Sequence, residues 1–469
     1  MLIERFEDPG LSQYSYAVAC EGAGEMAIVD PRRDVDAYLA FSAARELRIT
    51  HVLETHIHAD FASGARELAW RTGAELCLSA CDAGELYEVQ FPHRELRDGD
   101  EIAIGRVRIR ALHTPGHTPE HLAYLVFDGA RSASVPMLML SGDFLFVGSL
   151  GRPDLLGEEA KLGLARRLYT SVRERLAGLP DGLEIAPGHG AGSMCGAGMS
   201  GRAVSTLGFE RIANPYLRAD LSEQAFVDAI LGNVPPFPDY YRRMKALNSQ
   251  GPPLLGGLPA LEALPPDRFR LLADQGHIVI DLRDQLSFGA GHIPASFGIG
   301  AGGSVSTWAS WVVPYGQPLL LVAPGRDDAE AAVRSLVRVG LDDVRGCLAG
   351  GFESWIRAGY PLAQTAQVAP GALAQRLAHD GHIHVVDVRT AGEWTEGHIA
   401  GARHVMGGEL PKRVDELRGL SGTIALVCRG GYRSTVAASV LERAGIANTV
   451  NVTGGMRAWT HAGLPVSQE

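Results

Sequence analysis

Two imidazoles and a carboxylate fall within five residues at His56-Ile57-His58-Ala59-Asp60, and this stretch narrows what the chain can fold into more than any other. Residues 49–54 before it alternate apolar and polar side chains, as a strand does. Residues 62–69 after it read as a helix start with Ser63 as the cap. A strand-to-helix loop of this kind can turn all three groups onto one metal ion. The plain alternative is a polar loop whose histidines only bond to backbone. Three later segments weigh against it: His117 follows the strand-like residues 107–112, Asp143 follows the apolar run 137–140, and His189 follows another apolar run inside Pro187-Gly188-His189-Gly190. Each lies where a strand ends, which is where α/β folds carry their chemistry.

A chain of 469 residues is too long for one core and suggests about three domains. Its net charge of −11, with no basic cluster, argues against nucleic acid as a partner. No apolar run reaches the roughly 18 residues of a membrane span. The acidic N-terminal residues Glu4, Glu7 and Asp8 do not suit a signal peptide. A cytoplasmic protein and a homo-oligomer are therefore expected. Six cysteines make no disulfide framework. Cys77 and Cys81 read as buried small hydrophobes, and Cys20 and Cys347 as packing residues.

The ordered motifs H-x-H-x-D, T-P-G-H-T, S-G-D and P-G-H-G over residues 1–245 resemble the metallo-β-lactamase fold, and within it the persulfide dioxygenase and glyoxalase II branch. The dinuclear members of that fold carry a histidine after the aspartate of H-x-H-x-D, and here Phe61 stands in its place. The resemblance thus implies one metal, not two. Carried over from the dioxygenase branch, the ligands are His56, His117 and Asp143, with His58, Asp60 and His189 as orienting or proton-moving neighbours. Two imidazoles and one carboxylate with three open positions are the pattern of non-haem Fe(II) oxygenases, so one Fe(II) per chain is expected. A G-R-x-D element recurs in that branch, and Arg152 and Asp154 are expected to pair and fix the loop after Asp143. Arg152 is also a candidate substrate contact, with Arg202 and Arg211 as weaker ones. Cys195, in a glycine-rich loop that starts at His189, is expected near the mouth of the site, as a sulfur relay or a bystander.

A Gly- and Pro-rich linker spans residues 250–259. Beyond it the chain repeats itself. Residues 278–283 answer to 385–389, 291–295 to 397–402, 319–323 to 424–428, and 350–355 to 454–459. Each copy reads as alternating strands and helices, implying a parallel sheet covered by helices. Only the second copy has a nucleophile. Cys428 ends a buried strand, and residues 429–434 lead into a helix expected over 435–443. Backbone N–H groups and the helix dipole then point at the sulfur, and Arg429 and Arg433 add positive charge. This loop resembles that of rhodanese sulfurtransferases, in which six residues, here Cys428 through Arg433, fit a sulfane sulfur. In the first copy Ala323 and Asp328 stand where Cys428 and Arg433 do, and Pro324 withholds an N–H from any anion cradle.

The expected architecture is α/β and α+β in several domains. An N-terminal αββα metallo-β-lactamase sandwich over residues 1–250 is followed by two α/β rhodanese domains with parallel sheets, an inactive one over 260–363 and an active one over 366–469. The implied function is iron-dependent oxidation of a low-molecular-weight persulfide by O₂ to sulfite, with rhodanese transfer giving thiosulfate, a route of sulfide detoxification. A zinc-dependent, glyoxalase II-type thioester hydrolase with a sulfurtransferase tail is the alternative. A non-catalytic sulfur-trafficking scaffold is a third reading.

Overall fold

Alternation along the N-terminal strands sets up two sheets that share one core. In Val107–His113, for example, Val107, Ile109 and Ala111 are buried while the residues between them are half-exposed. The computed structural model describes residues 1–234, 237–379 and 381–468 of the chain. It divides into two units, Met1–Leu258 with the turn Val337–Gly340, and Pro259–Leu336 with Leu341–Glu469.

In the first unit one six-stranded sheet runs in sequence order through Leu2–Asp8, Gln13–Cys20, Glu25–Val29, Arg48–Leu53, Glu75–Ser79 and Arg94–Leu96. Its first strands pair antiparallel and its last ones parallel. The second sheet orders Ser205–Thr206, Glu184–Pro187, Leu138–Gly142, Leu122–Asp128, Val107–His113 and Glu101–Ile104. Tyr16, Val18, Val29 and Leu53 of the first sheet pack with Ile109, Leu122, Val126 and Leu140 of the second. Fully burying one such aliphatic side chain contributes roughly 1.5–3 kcal/mol. The helices Asp36–Arg45 and Ala65–Thr72 cover one outer face, and Glu158–Arg175 and Glu223–Gly232 the other. The result is an αββα sandwich.

The second unit holds two five-stranded sheets with the same strand order. One runs Ala263–Leu264, Val344–Leu348, Leu319–Val322, Ile278–Asp281, Phe297–Gly298; the other Ala366–Val368, Thr449–Val452, Thr423–Val427, Ile383–Asp387, Arg403–His404. All their pairs are parallel. Their central strands are buried on both faces and so read as unbroken apolar runs. The repeat extends to single hydrogen bonds. Arg283 and Arg389 each bind the aspartate two residues back and the carbonyl of Gly291 or Gly397. His292 stacks on Phe288, and His398 on Trp394. No helix among the described residues is long and apolar enough to cross a membrane.

Candidate metal centre and sulfur site

His56 leaves the end of Arg48–Leu53, and Asp143 the end of Leu138–Gly142, so adjacent strand ends present them to the same point. His117 comes from the loop between the next two strands of the second sheet. All three are buried. His117 Nδ1 lies 2.8 Å from the Arg152 carbonyl, so Nδ1 carries the proton and Nε2 keeps its lone pair. His56 Nδ1 is 2.9 Å from the Thr55 hydroxyl. His56 Nε2, His117 Nε2 and Asp143 Oδ2 have no hydrogen-bond partner among the described residues. Yet they face one another, with Asp143 Oδ2 3.9 Å from His56 Nε2 and 3.4 Å from His117 Nε2. Buried polar atoms left without partners are costly, and an ion between these three would satisfy them together. Burial, then the neighbouring His58, holds His56 well below the usual imidazole range, and burial does the same for His117. Both rings are neutral, the state a metal ligand needs.

The centre is built by close approach. A Cβ on Gly151 would lie 1.8 Å from the Asp143 carbonyl oxygen and 2.9 Å from His117 Nδ1. One on Gly188 would lie 2.8 Å from Asp143 Oδ1. The glycines that flank the sequence motifs therefore let the strands come together at the ligands.

The remaining histidines of the motifs point elsewhere. His189 bridges two carboxylates, with Nδ1 2.7 Å from Asp143 Oδ1 and Nε2 2.8 Å from Asp60 Oδ2. Burial alone would lower its pKa, but Asp143 and Asp60 raise it to about 10, so the ring is an imidazolium that orients Asp143. His58 Nε2 lies 2.9 Å from Glu54 and 3.2 Å from Asp30, and these carboxylates hold it well above the usual range against the opposing effect of burial. Three groups of side chains could hold an ion: His56, His117 and Asp143; Asp60, His189 and Cys195; and Asp30, Glu54 and His58. In the second and third groups the imidazole already pairs with carboxylates.

Cys195 is buried beside Asp60 and His189, and its sulfur is 3.8 Å from the Tyr241 hydroxyl. Burial pushes its thiol well above the ordinary range. Arg152 pairs with Asp154 as the sequence predicts, at 2.7 and 2.8 Å, and it also donates to the Met194 carbonyl. It is 1 % exposed, which leaves it as a brace of the ligand loop and not a free cation for substrate. Arg211 is likewise engaged, by Asp181 and the carbonyls of Leu176 and Leu179, whereas Arg202 is exposed.

Sequence reasoning missed one polar helix face. Tyr241, Lys245 and Asn248 of Tyr240–Gln250 share a side of the helix at spacings of four and three residues, and all three are buried. Asn248 donates to the carbonyls of His58 and Phe61 and accepts from Ser63 N–H, each at 2.8 Å. No motif announces these residues, and only their arrival under the histidine loop gives them meaning.

In the second unit, Cys428 ends Thr423–Val427 and Gly431, at φ +104°, turns the chain into the helix Tyr432–Arg443. That helix starts three residues before the expected position. The Cys428 sulfur accepts from Gly431 N–H at 3.0 Å, and the Ser434 hydroxyl oxygen lies 3.3 Å from it. Asn451 accepts from Ser434 and so fixes that hydroxyl. Arg433 does not stand free as an anion clamp, because both its Nη atoms bind Glu393 at 2.6 and 2.7 Å. Burial opposes ionisation of Glu393, but Arg433 and Thr390 bring its carboxyl down to about 2. Arg429 is exposed at the edge of the loop.

The first copy has lost both members of that ion pair, with Asp328 in place of Arg433 and Ser287 in place of Glu393. A cavity of about 330 Å³ remains, lined by Ala323–Arg326 and by Cys347 and Gly350 among others. Cys347, far along the repeat from the Ala323 loop, lines this cavity beside it. It sits on Val344–Leu348, the strand paired with Leu319–Val322.

Comparisons with known proteins follow this division. Residues 8–189 match the model of the metallo-beta-lactamase superfamily, and residues 266–358 and 369–462 each match the rhodanese-like domain. A probable metallo-hydrolase of Burkholderia pseudomallei is 33% identical, over 48% of this chain and 84% of its own length. The human mitochondrial persulfide dioxygenase ETHE1 is 28% identical, over 50% of this chain and 82% of its own. A hydroxyacylglutathione hydrolase of Rhodospirillum rubrum is 34% identical over 38% of this chain and 61% of its own. The solved structure of a metallo-beta-lactamase from Staphylococcus aureus superposes with a TM-score of 0.66 at 33% identity, covering 74% of this chain and 99% of that one. The chain belongs to the metallo-β-lactamase superfamily and joins such a domain to two tandem rhodanese-like domains.

Proposed function

We propose that this protein oxidises a low-molecular-weight persulfide to sulfite and passes sulfane sulfur through Cys428 to give thiosulfate. The observation that carries the first half is the convergence of three orphaned atoms, His56 Nε2, His117 Nε2 and Asp143 Oδ2, on one point. The residues a second ion would need are otherwise engaged: Asp60 and His189 bind each other, and position 61 is phenylalanine. Fe(II) held by His56, His117 and Asp143 would supply activation of O₂. The balance is R–S–S⁻ + O₂ + H₂O → R–SH + SO₃²⁻ + H⁺. Within the chain, His189 holds Asp143 by one oxygen so that the other faces the ion, and Arg152 holds His117 through its carbonyl.

Cys428, once loaded as its persulfide, would give its outer sulfur to sulfite: E–S–S⁻ + SO₃²⁻ → E–S⁻ + S₂O₃²⁻. Gly431 N–H stabilises the sulfur through both states, and Arg429 at the rim draws in the anion. The relation to human persulfide dioxygenase and the two rhodanese-like domains support the pairing.

The second reading, a two-zinc thioester hydrolase, is favoured by the likeness to hydroxyacylglutathione hydrolase. Metal analysis separates the two. One iron per chain with oxygen uptake on glutathione persulfide supports oxidation, and two zincs with thioester cleavage would sink it. Cys428→Ser is expected to abolish thiosulfate while sulfite accumulates, read by ion chromatography.

A further inference from the structure

Lys245 is 1 % exposed, and the oxidative reading gives it no task. Its Nζ donates to the Ile57 carbonyl at 2.9 Å and lies 5.6 Å from the Tyr87 ring centroid. Ile57 is the residue between His56 and His58, and its N–H donates to Glu120 at 2.9 Å. Among the described residues the ammonium has this one hydrogen-bond acceptor and no ion pair, so two of its three N–H donors are unanswered. A buried cation in that state is costly unless an anion completes it. Burial lowers the pKa of its ammonium, while the neighbouring Glu120, Cys195 and Asp143 oppose that, and its charge in turn acts on His56 and His117. The same helix face brings Tyr241 against Cys195 one turn away.

We propose that Lys245 supplies the positive charge that receives the anionic sulfur end of the substrate beside the metal ligands. This rests on the reading of the site as a persulfide oxygenase. Arginine at 211 and 152 cannot do this because both are engaged elsewhere. A neutral thioester would gain little from a buried ammonium at that point, whereas R–S–S⁻ would gain a charge-assisted contact.

The test compares Lys245→Met with Lys245→Arg in the full chain loaded with iron. Loss of one charge-assisted contact corresponds to about a tenfold or greater rise in KM for glutathione persulfide. Lys245→Met is expected to show that rise with kcat and iron per chain near wild type, and Lys245→Arg to restore KM. Calorimetric binding of hydrosulfide, the simplest anion of the class, is expected to weaken in Lys245→Met by a similar factor. Unchanged KM and unchanged hydrosulfide affinity would overturn the assignment. So would loss of iron in both variants, which would make Lys245 a tether of the Ile57 carbonyl. If the wild-type protein takes up no oxygen with persulfide, the oxidative reading fails by itself, and hydrosulfide binding still decides the lysine.

Discussion

Arg433 shows how one side chain can be read correctly in type while its partner stays hidden. A basic residue five positions after the nucleophile was legible as positive charge, but its ion partner Glu393 lies 40 positions earlier in the capping box Thr390-x-x-Glu393, which announces a helix start and not an ion pair. The pair makes a pH prediction. The Glu393 carboxyl falls from an ordinary 4.5 to about 2 in the folded chain. A depressed pKa contributes stability above pH 4.5, and that contribution disappears as pH falls through about 2. Glu393 is partly open to water, so screening reduces its worth to about 1 kcal/mol. Glu393→Gln is expected to lower the thermal midpoint of the second unit at pH 7, and the gap from wild type to close between pH 4.5 and 2. Tryptophan fluorescence follows that unit, since every tryptophan but Trp70 lies beyond residue 300. A gap that persists at the acid end would show that the ion pair is not its origin.

At the scale of elements, the candidate metal centre was readable because each of its three residues follows an apolar strand, and strand ends of the two sheets meet. The glycines beside the ligands were readable only as turn residues. Their other role, bare backbone pressed on a ligand, needs three dimensions. Gly151→Ala places a methyl group against the Asp143 backbone, and a clash of that kind costs about 2 kcal/mol or more. The expected result is a chain that retains little iron, measured by mass spectrometry of the metal, while cyanide-dependent sulfur transfer at Cys428 stays near wild type. Full iron content in this variant would show that the loop relaxes freely. The Tyr241, Lys245 and Asn248 face was not legible, because buried polar residues at helical spacing look like a solvated face until the helix is docked.

For the whole molecule, the repeat was the strongest signal after the histidines, and the matched strand orders and matched aspartate–arginine pairs follow from it. What sequence spacing hid was the neighbourhood of Cys347, since parallel strands bring together residues far apart in the chain. The first copy lacks the cysteine, the arginine and the arginine's carboxylate partner together, so restoring one is insufficient. Ala323→Cys is expected to form no thiocyanate from thiosulfate and cyanide when Cys428 is serine. Measurable turnover in that double variant would mean that the cavity beside Cys347 suffices for transfer.

Two copies with one strand order also carry a hazard of assembly. A strand of either copy meets hydrogen-bond partners of suitable register in the other, which is how repeated domains exchange segments while unfolded. Synthesis on the ribosome delivers roughly 5–20 residues per second, so the earlier copy can close its sheet seconds before the later one is complete. Dilution from denaturant releases both at once and removes that head start, leaving the order of birth as the chain's protection against pairing with itself in the wrong sense.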